Sequence, residues 1–207
     1  MSDHLIVFMR SQVQGKVKTR LAQYLGDEEA LAVYKWLVKH TMDAIADLPI
    51  SVHLYFDEPD HRFSMTKGMK VKEQSKGKLD DKLNNALKSC LMDGARKVVI
   101  IGSDCPEISG ELIMEAFNAL DRSDLVVGPA ADGGFYLLGQ KEQYPSLLKG
   151  ITWSASTTCR ELMTNAVELD LNVHMLQVKR DIDTLTDFRH FEKMYQVYKS
   201  NKQSRVL

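Results

Sequence analysis

The chain has 207 residues, 44% hydrophobic and 27% charged, which is enough to build one domain around a buried core. Its formal net charge of -1 excludes the strong basic excess of a general nucleic-acid binder, although a local basic pocket for one nucleotide stays possible. Cys90, Cys105 and Cys159 are odd in number and lack the C-x-x-C spacing, which indicates reduced thiols rather than a disulfide framework.

The N-terminal segment MSDHLIVFMR has only a short apolar stretch behind Asp3, too short for a signal peptide and without its basic region. No stretch approaches the roughly 20 apolar residues that a membrane helix needs. We therefore expect a cytoplasmic protein with no membrane span. We also expect a single domain over residues 1–207, with a frayed polar tail at residues 200–207.

Short apolar runs alternate along the chain with segments whose apolar residues recur at helical spacing. The strands are predicted at Leu5–Met9, Val52–Phe56, Val71–Gln74, Lys97–Ile101, Asp124–Gly128, Phe135–Leu138 and Asn172–Val178. The helices are predicted at Glu28–Leu48, Asp80–Asp93, Gly110–Leu120, Ser156–Val167 and Thr186–Lys199, and Glu58–Lys70 is predicted to be irregular. This alternation predicts an α/β fold with a mostly parallel sheet and helices on both faces.

The run VVIIGSDCP delivers Asp104 to the end of a predicted strand. In open α/β sheets, ligands bind beyond the carboxyl ends of the strands. Mg²⁺ is commonly held there by one or two carboxylates and the phosphates of a substrate. Asp104 is therefore a candidate metal ligand; the alternative is that it caps the turn or the helix near Ser109. A nucleophilic Cys105 thiol is disfavoured because no histidine lies near it in sequence.

The loop RSQVQGKVKTRL follows the first predicted strand and contains Arg10, Gly15, Lys16, Lys18 and Arg20. Such loops bind phosphates through backbone N–H groups and a helix N-terminus, and Arg20 could add two parallel hydrogen bonds. The loop matches neither the G-x-x-x-x-G-K-[ST] nor the G-x-G-x-x-G pattern. The alternative is a solvated basic loop.

The segment GPAADGGFYLLG places two glycines directly after Asp132. Gly133 and Gly134 would let a ligand approach the backbone while Asp132 reaches it; the alternative is a plain hairpin turn. Trp153, in GITWSAS, either stacks on a ligand ring or fills the core.

The segment RDIDTLTD carries Asp181 and Asp183 on either side of one isoleucine, so both point to one side of an extended chain. Alternatively, Asp183 or Thr184 is the N-cap of the last helix, and Asp187 favours its dipole. The six histidines show neither H-x-x-x-H nor H-E-x-x-H spacing, which argues against a zinc site.

Together, VKTRL, GSDCP, GPAADGGFYLLG, the Ile-Thr-Trp-Ser segment and DIDTLTD closely resemble a family of small bacterial proteins grouped with the nucleotide-diphospho-sugar transferases. The resemblance spans Leu5 to about Phe191. That family is described as GT-A-type glycosyltransferase-like, and some members are linked by name to arsenosugar biosynthesis. More distantly, the chain resembles molybdenum-cofactor cytidylyl- and guanylyltransferases and a phospholactate guanylyltransferase, whose Gly-rich first loop it lacks.

The resemblance implies a three-layer α/β/α domain of GT-A type with a mixed, mainly parallel sheet. It implies Mg²⁺ or Mn²⁺ at Asp104 and Asp183, with Asp132 near the transferred group as the candidate catalytic base. Nucleotide and diphosphate contacts are assigned to Arg10, Gly15, Lys18, Arg20 and Ser103. Sugar or acceptor contacts are assigned to Gly133, Gly134 and Trp153.

The function expected from these motifs is a metal-dependent glycosyltransferase with a nucleotide-diphospho-sugar donor and a small-molecule acceptor. The first alternative is nucleotidyl transfer from an NTP to a small phosphorylated or hydroxylated acceptor. The second is a non-catalytic nucleotide-binding protein. It is favoured by QSKGKLDDKL, where Lys78 and Lys82 replace an acid and an arginine of the family pattern.

Overall fold

The computed structural model describes residues 2–58 and 68–203 of the chain. Seven strands are formed by β1 Asp3–Met9, β2 Ser51–Phe56, β3 Met69–Glu73, β4 Lys97–Ile101, β5 Leu125–Pro129, β6 Phe135–Gln140 and β7 Val173–Met175. Five helices are formed by α1 Thr19–Ile45, α2 Leu79–Met92, α3 Gly110–Ala119, α4 Thr158–Glu168 and α5 Leu185–Gln203. The predicted order of strands and helices is confirmed.

The strands form one sheet in the order β3-β2-β1-β4-β6-β5-β7. Every neighbouring pair is parallel except those of β6, which runs antiparallel to both β4 and β5. The sheet is therefore mixed and mainly parallel, as predicted. β1 lies between β2 and β4, so the loops after β1 and β4 leave from adjacent positions at the carboxyl edge, where ligands bind in such folds.

The sheet is covered on both faces, which explains why its central strands read as continuous apolar runs. All five residues of β4 are buried. Tyr34 of α1 and Phe117 of α3 belong to the core on one face, while Leu87 of α2 and Leu162 of α4 belong to the core on the other. α5 packs on α1 through a third apolar cluster that includes Trp36 and Tyr195. The three-layer α/β/α architecture follows.

The differences from the predicted elements are local. α1 begins at Thr19 rather than Glu28 and is interrupted at Gly26, whose φ of 80° and ψ of 160° are not helical. β7 keeps only three of the seven residues predicted for it, because beyond Met175 the chain follows β5 through irregular hydrogen bonds.

The boundaries of two predicted segments also change. α5 extends to Gln203 and so includes the first four residues of the predicted frayed tail. Residues 204–207, and residues 59–67 of the segment predicted to be irregular, lie outside the described residues. No helix in the described part of the chain is long and apolar enough to cross a membrane.

Candidate active site

Three neighbouring cavities lie at the carboxyl edge of β1 and β4. The cationic cavity, of about 200 Å³, is lined by Arg10, Val17, Lys18, Thr19, Arg20, Tyr34, Asp104 and Asp183. The central cavity, of about 470 Å³, is lined by Phe8, Met9, Arg10, Tyr34, Asp57, Gln74, Leu79, Lys82, Gly102, Ser103 and Asp104. The aromatic cavity, of about 220 Å³, includes Phe8, Leu79, Gly102, Asp132, Gly134, Phe135, Trp153 and Asp181. Shared lining residues make the three cavities one continuous cleft.

The cationic cavity is organised around a buried ammonium group. Lys18 Nζ lies 2.8 Å from Asp104 Oδ1 and 3.0 Å from Asp183 Oδ1. The Lys18 side chain is only 5% exposed, whereas those of Asp104 and Asp183 are 42% and 45% exposed. Burial alone would lower the pKa of Lys18, but the charges and hydrogen bonds of the two carboxylates outweigh it and raise the pKa. The ammonium therefore stays charged.

Backbone geometry directs Lys18 to this position. Lys18 is the N-cap residue of α1 and has a left-handed backbone conformation, with φ of 48° and ψ of 42°. A lysine rarely adopts this conformation, and such strain persists only where surrounding contacts impose it. Here the two ion pairs supply those contacts.

Other residues cap the helices, which leaves both carboxylates available. Ser109 Oγ accepts a hydrogen bond from the Leu112 backbone N–H and caps α3. At the start of α5, the Thr184 backbone N–H and hydroxyl both donate to Asp187 Oδ2, and the Asp187 N–H donates to Thr184 Oγ. This is a capping box. Neither Asp104 nor Asp183 therefore serves as the cap that the sequence left open as an alternative.

The two carboxylates meet because the chain returns to the same edge near its C-terminal end. The Ile182 backbone N–H donates to the Asp104 carbonyl oxygen over 3.0 Å, and the Ile182 side chain is fully buried. Ile182 thus anchors the segment and leaves its neighbour Asp183 facing the cleft. Carboxylate oxygens that already hold an ammonium between them form a hard donor set, which suits Mg²⁺ or Mn²⁺.

Arg20 and Lys18 differ in their partners. Arg20 is exposed, lines the cationic cavity and makes no ion pair with any residue that the structure describes. The Lys18 ammonium is held by the two acids instead of projecting freely toward a diphosphate. The predicted pair of phosphate contacts is therefore unequal: of these two residues, only Arg20 has a cation without an ion pair to a described residue.

The central cavity contains Arg10 and Ser103 among the predicted nucleotide contacts. Ser103 is buried, with its Oγ 3.2 Å from the Tyr34 hydroxyl, and that hydroxyl donates to the Arg10 carbonyl oxygen. Burial raises the pKa of Tyr34 to about 12. The Tyr34 hydroxyl therefore stays protonated and connects the loop after β1, at Arg10, with the loop after β4, at Ser103. Gly15, with φ of 76°, does not line any of the three cavities.

The two lysines that depart from the family pattern lie in different places. Lys82 lines the central cavity and its Nζ is 3.3 Å from Gln74 Oε1. Gln74 Nε2 donates to two strand-end carbonyl oxygens, so its side chain is fixed. Lys78 is the N-cap residue of α2 and is not among the residues lining the cleft. Of these two lysines, only Lys82 therefore lines the cleft.

The aromatic cavity contains Asp132 and one of the two paired glycines. Asp132 Oδ1 accepts a hydrogen bond of 2.9 Å from the Gly134 backbone N–H, which orients the carboxylate. Gly133 has φ of 91°, and a Cβ atom there would overlap the Ser156 backbone carbonyl. Gly133 is therefore needed for the loop to pack against the backbone at Ser156, just before α4. Gly134 lines the cavity, as does the partly exposed Trp153.

Asp181 is a cleft residue that the assignment of site residues omitted. It lines the aromatic cavity, and its Oδ1 atom is buried with no hydrogen-bond partner among the described residues. Burial and then the charge of Asp104 raise the pKa of Asp181 to about 7. The alternation around Ile182 predicted that Asp181 and Asp183 form a carboxylate pair. The sequence pattern does not show which of these two carboxylates is buried.

Residues 40–155 match the family described as "Uncharacterized protein conserved in bacteria (DUF2064)". The chain belongs to this family. It is 28% identical to a 2-phospho-L-lactate guanylyltransferase from Methanocaldococcus vulcanius over 142 residues, which cover 67% of this chain and 62% of that protein. The same named enzyme from Methanocaldococcus jannaschii is 30% identical over 129 residues, covering 61% and 55%. The chain thus spans less than two thirds of either curated relative.

Solved structures extend the likeness to almost the whole chain. A protein from Desulfovibrio desulfuricans G20, provisionally named a nucleotide-diphospho-sugar transferase, has a TM-score of 0.83 and 25% identity, covering 96% of this chain and 99% of its own. CMP:2-keto-3-deoxy-manno-octonic acid synthetase complexed with CTP has a TM-score of 0.60 and 10% identity, covering 97% and 100%. Rv0371c of Mycobacterium tuberculosis H37Rv complexed with manganese has a TM-score of 0.58 and 16% identity, covering 92% and 97%.

These comparisons confirm the nucleotide-diphospho-sugar transferase type of fold that the sequence resemblance implied. They also confirm the resemblance to guanylyltransferases. The named relatives are transferases, which supports the predicted enzyme class.

Proposed function

We propose that this family member is a metal-dependent glycosyltransferase that takes a nucleotide-diphospho-sugar as donor and a small hydroxylated molecule as acceptor. The observation that carries the proposal is the Lys18–Asp104–Asp183 cluster, in which two acids share a buried ammonium beside the exposed guanidinium of Arg20. The full-length likeness to a protein named a nucleotide-diphospho-sugar transferase supports the choice of donor.

Asp104 and Asp183 would hold Mg²⁺ or Mn²⁺. When bound, the ion would supply charge neutralisation for the leaving diphosphate. Arg20 binds the diphosphate oxygens through charge-assisted hydrogen bonds, which are stronger than neutral ones. Arg10 and Ser103 contact the nucleotide from the central cavity. Lys18 pairs with both acids and so holds their carboxylates close to one another.

The transfer forms a bond between the acceptor oxygen and the anomeric carbon of the sugar and breaks the bond from that carbon to the diphosphate oxygen. The acceptor hydroxyl gives its proton to the Asp132 carboxylate, and the nucleoside diphosphate leaves with the electron pair. Asp132 is suited to this role because the Gly134 N–H orients it at the cavity wall. Trp153 and Gly134 contact the sugar or the acceptor.

Nucleotidyl transfer is the second candidate, and the likeness to two guanylyltransferases favours it. In that reaction the acceptor oxygen attacks the α-phosphorus of an NTP, and pyrophosphate leaves. Asp104, Asp183 and Arg20 would have the same roles, because in both reactions negative charge develops on a phosphate leaving group.

The released phosphate product separates the two reactions. The protein would be incubated with Mn²⁺, a mixture of small hydroxylated and phosphorylated acceptors, and either a set of nucleotide-sugars or the four NTPs, and the products read by ³¹P NMR. We expect a nucleoside diphosphate from a nucleotide-sugar, and none from the Asp104→Asn variant. Pyrophosphate from an NTP would instead support nucleotidyl transfer. Metal-dependent nucleotide binding without any product would favour the non-catalytic alternative.

A further inference from the structure

A second cluster of polar side chains lies toward the amino ends of β1 and β2, away from the cleft at their carboxyl ends. His4 is near the start of β1, His53 is on β2, and Cys90 is near the end of α2. His53 is paired in register with Ile6, so His4 and His53 share the face that α2 covers. The candidate ligand atoms of the three residues all lie within 4.8 Å of one another.

The two imidazoles of this cluster are buried without adequate partners. His53 is 0% exposed and His4 is 3% exposed. Within the described part of the chain, neither ring nitrogen of His53 has a hydrogen-bond partner, and nor does His4 Nδ1. Buried polar groups are nearly always hydrogen-bonded, because an unpartnered one loses its hydration without compensation. Three unpartnered nitrogens around one thiol therefore require an explanation.

We propose that His4, His53 and Cys90 bind a thiophilic divalent cation of the zinc class. Imidazole nitrogen and thiolate sulfur are the preferred zinc ligands, and three of them come together here from separate elements. At bond lengths of 2.0–2.3 Å, tetrahedral zinc separates its ligand atoms by about 3.3–3.8 Å, so the cluster must contract by about 1 Å. The two imidazole rings are stacked, with centroids 4.8 Å apart and an angle of 28° between their planes, so ring rotation has to provide this contraction.

The surroundings are consistent with a metal in this position. Burial lowers the pKa of His53 to about 4 and also lowers the pKa of His4, so both imidazoles are neutral and keep a lone pair for a ligand. His4 Nε2 lies 2.9 Å from Ser2 Oγ, an outer contact of the kind that orients metal-binding histidines. Burial raises the pKa of the Cys90 thiol to about 11, so the cation must displace the thiol proton when the sulfur binds it.

The neighbouring charges face the cluster from β3 and from the end of α2. Lys70 and Lys72 lie 3.6 and 3.5 Å from Asp93 Oδ2, so that carboxylate offsets part of their positive charge. The Asp93 carboxylate also acts to raise the pKa of both histidines, and it is the candidate for a fourth ligand or for holding a water there. The absence of H-x-x-x-H spacing does not test this site, because that pattern detects ligands on a single helix only.

Cobalt binding provides the test, because a thiolate–Co²⁺ pair absorbs in the near ultraviolet whereas an oxygen-only site does not. The reduced 207-residue chain would be titrated with Co²⁺ in excess Mg²⁺, which would compete for the acids of the cleft. We expect a thiolate band that saturates at about one ion per chain and is displaced by Zn²⁺. The Cys90→Ser variant should lose the band, and the matched Cys159→Ser variant, altered outside the cluster, should keep it.

X-ray absorption of the zinc-loaded wild type gives a measurement that does not depend on the folding of a variant. We expect one sulfur and two imidazole nitrogens around the ion, and a rise in melting temperature with zinc that is absent in Cys90→Ser. A wild type without a thiolate band, a band equally strong in Cys90→Ser, or an oxygen-only zinc environment would overturn the proposal. None of these results bears on transferase activity, which uses different residues.

Discussion

The cationic and aromatic cavities contain the same acidic residue type in opposite electrostatic situations. In the cationic cavity, Asp104 and Asp183 share the buried ammonium of Lys18. In the aromatic cavity, Asp132 and Asp181 have no ion pair with any described residue. The difference shows that a count of acids in a cleft does not predict charge; the placement of a single lysine decides which carboxylates are compensated.

The largest effect is expected from a variant that removes both carboxylates that pair with Lys18 in the cationic cavity. The Asp104→Asn/Asp183→Asn double variant leaves the Lys18 ammonium buried without either of the carboxylates that pair with it. We expect a loss of about 3 kcal/mol in the free energy of unfolding, measured by urea denaturation without metal.

The matched control adds Lys18→Met to this double variant. Removing the buried charge as well should restore most of the lost stability, because a buried apolar side chain needs no ionic partner. If the double variant were as stable as the wild type, the ammonium would not depend on these two acids.

An intermediate effect is expected from removing the Arg20 guanidinium, which lines the same cavity. Arg20→Ala should weaken the binding of a nucleoside diphosphate by about ten- to a hundredfold, since charge-assisted contacts contribute on the order of 1.5–3 kcal/mol. Binding of the free nucleoside should hardly change. Calorimetric titration of both ligands in the presence of Mn²⁺ measures the difference.

Arg96→Ala is the control for loss of one arginine, because Arg96 pairs with Asp3 at the start of β1. It should leave both affinities unchanged. Equal weakening of nucleoside and nucleotide by Arg20→Ala would mean that the loop shapes the cavity rather than binding phosphate.

The smallest expected effect concerns the uncompensated acid of the aromatic cavity. The pKa of Asp181 in the folded protein is about 7, above its unfolded value near 4, so the folded state binds the proton more strongly between these values. This contribution to stability is present below pH 4 and is lost as the pH rises through 7. Asp181→Asn should therefore exceed the wild type in stability at pH 8, by on the order of 1–2 kcal/mol, and not at pH 4.

Urea denaturation at the two pH values, without metal, measures this difference. Asp47→Asn, at an exposed position of the loop after α1, is the control for removal of one carboxylate. The prediction is contradicted if the free energy of unfolding of Asp181→Asn, relative to the wild type, rises between pH 4 and pH 8 by no more than that of Asp47→Asn. Asp181 would then be a solvated acid.

The sequence by itself determined the α/β fold, because its signals are local. Apolar runs predicted the strands, and helical spacing predicted the helices between them; β4 was predicted with the bounds it has. The position of Asp104 at a strand end followed from the same pattern. The capping alternatives for Asp104 and Asp183 stayed open, because a hydrogen bond from Ser109 or Thr184 depends on side-chain direction and not on spacing.

Only the tertiary structure decided which groups are compensated. Lys18 meets Asp183 across 165 residues of sequence, and the fold rather than any local preference brings them together. The same holds for the histidines of β1 and β2 and the cysteine of α2, which no motif connects. Electrostatic partnership acts through space and depends on burial, so residue types and their order along the chain identify the candidates, whereas the packed structure fixes their partners and their charge.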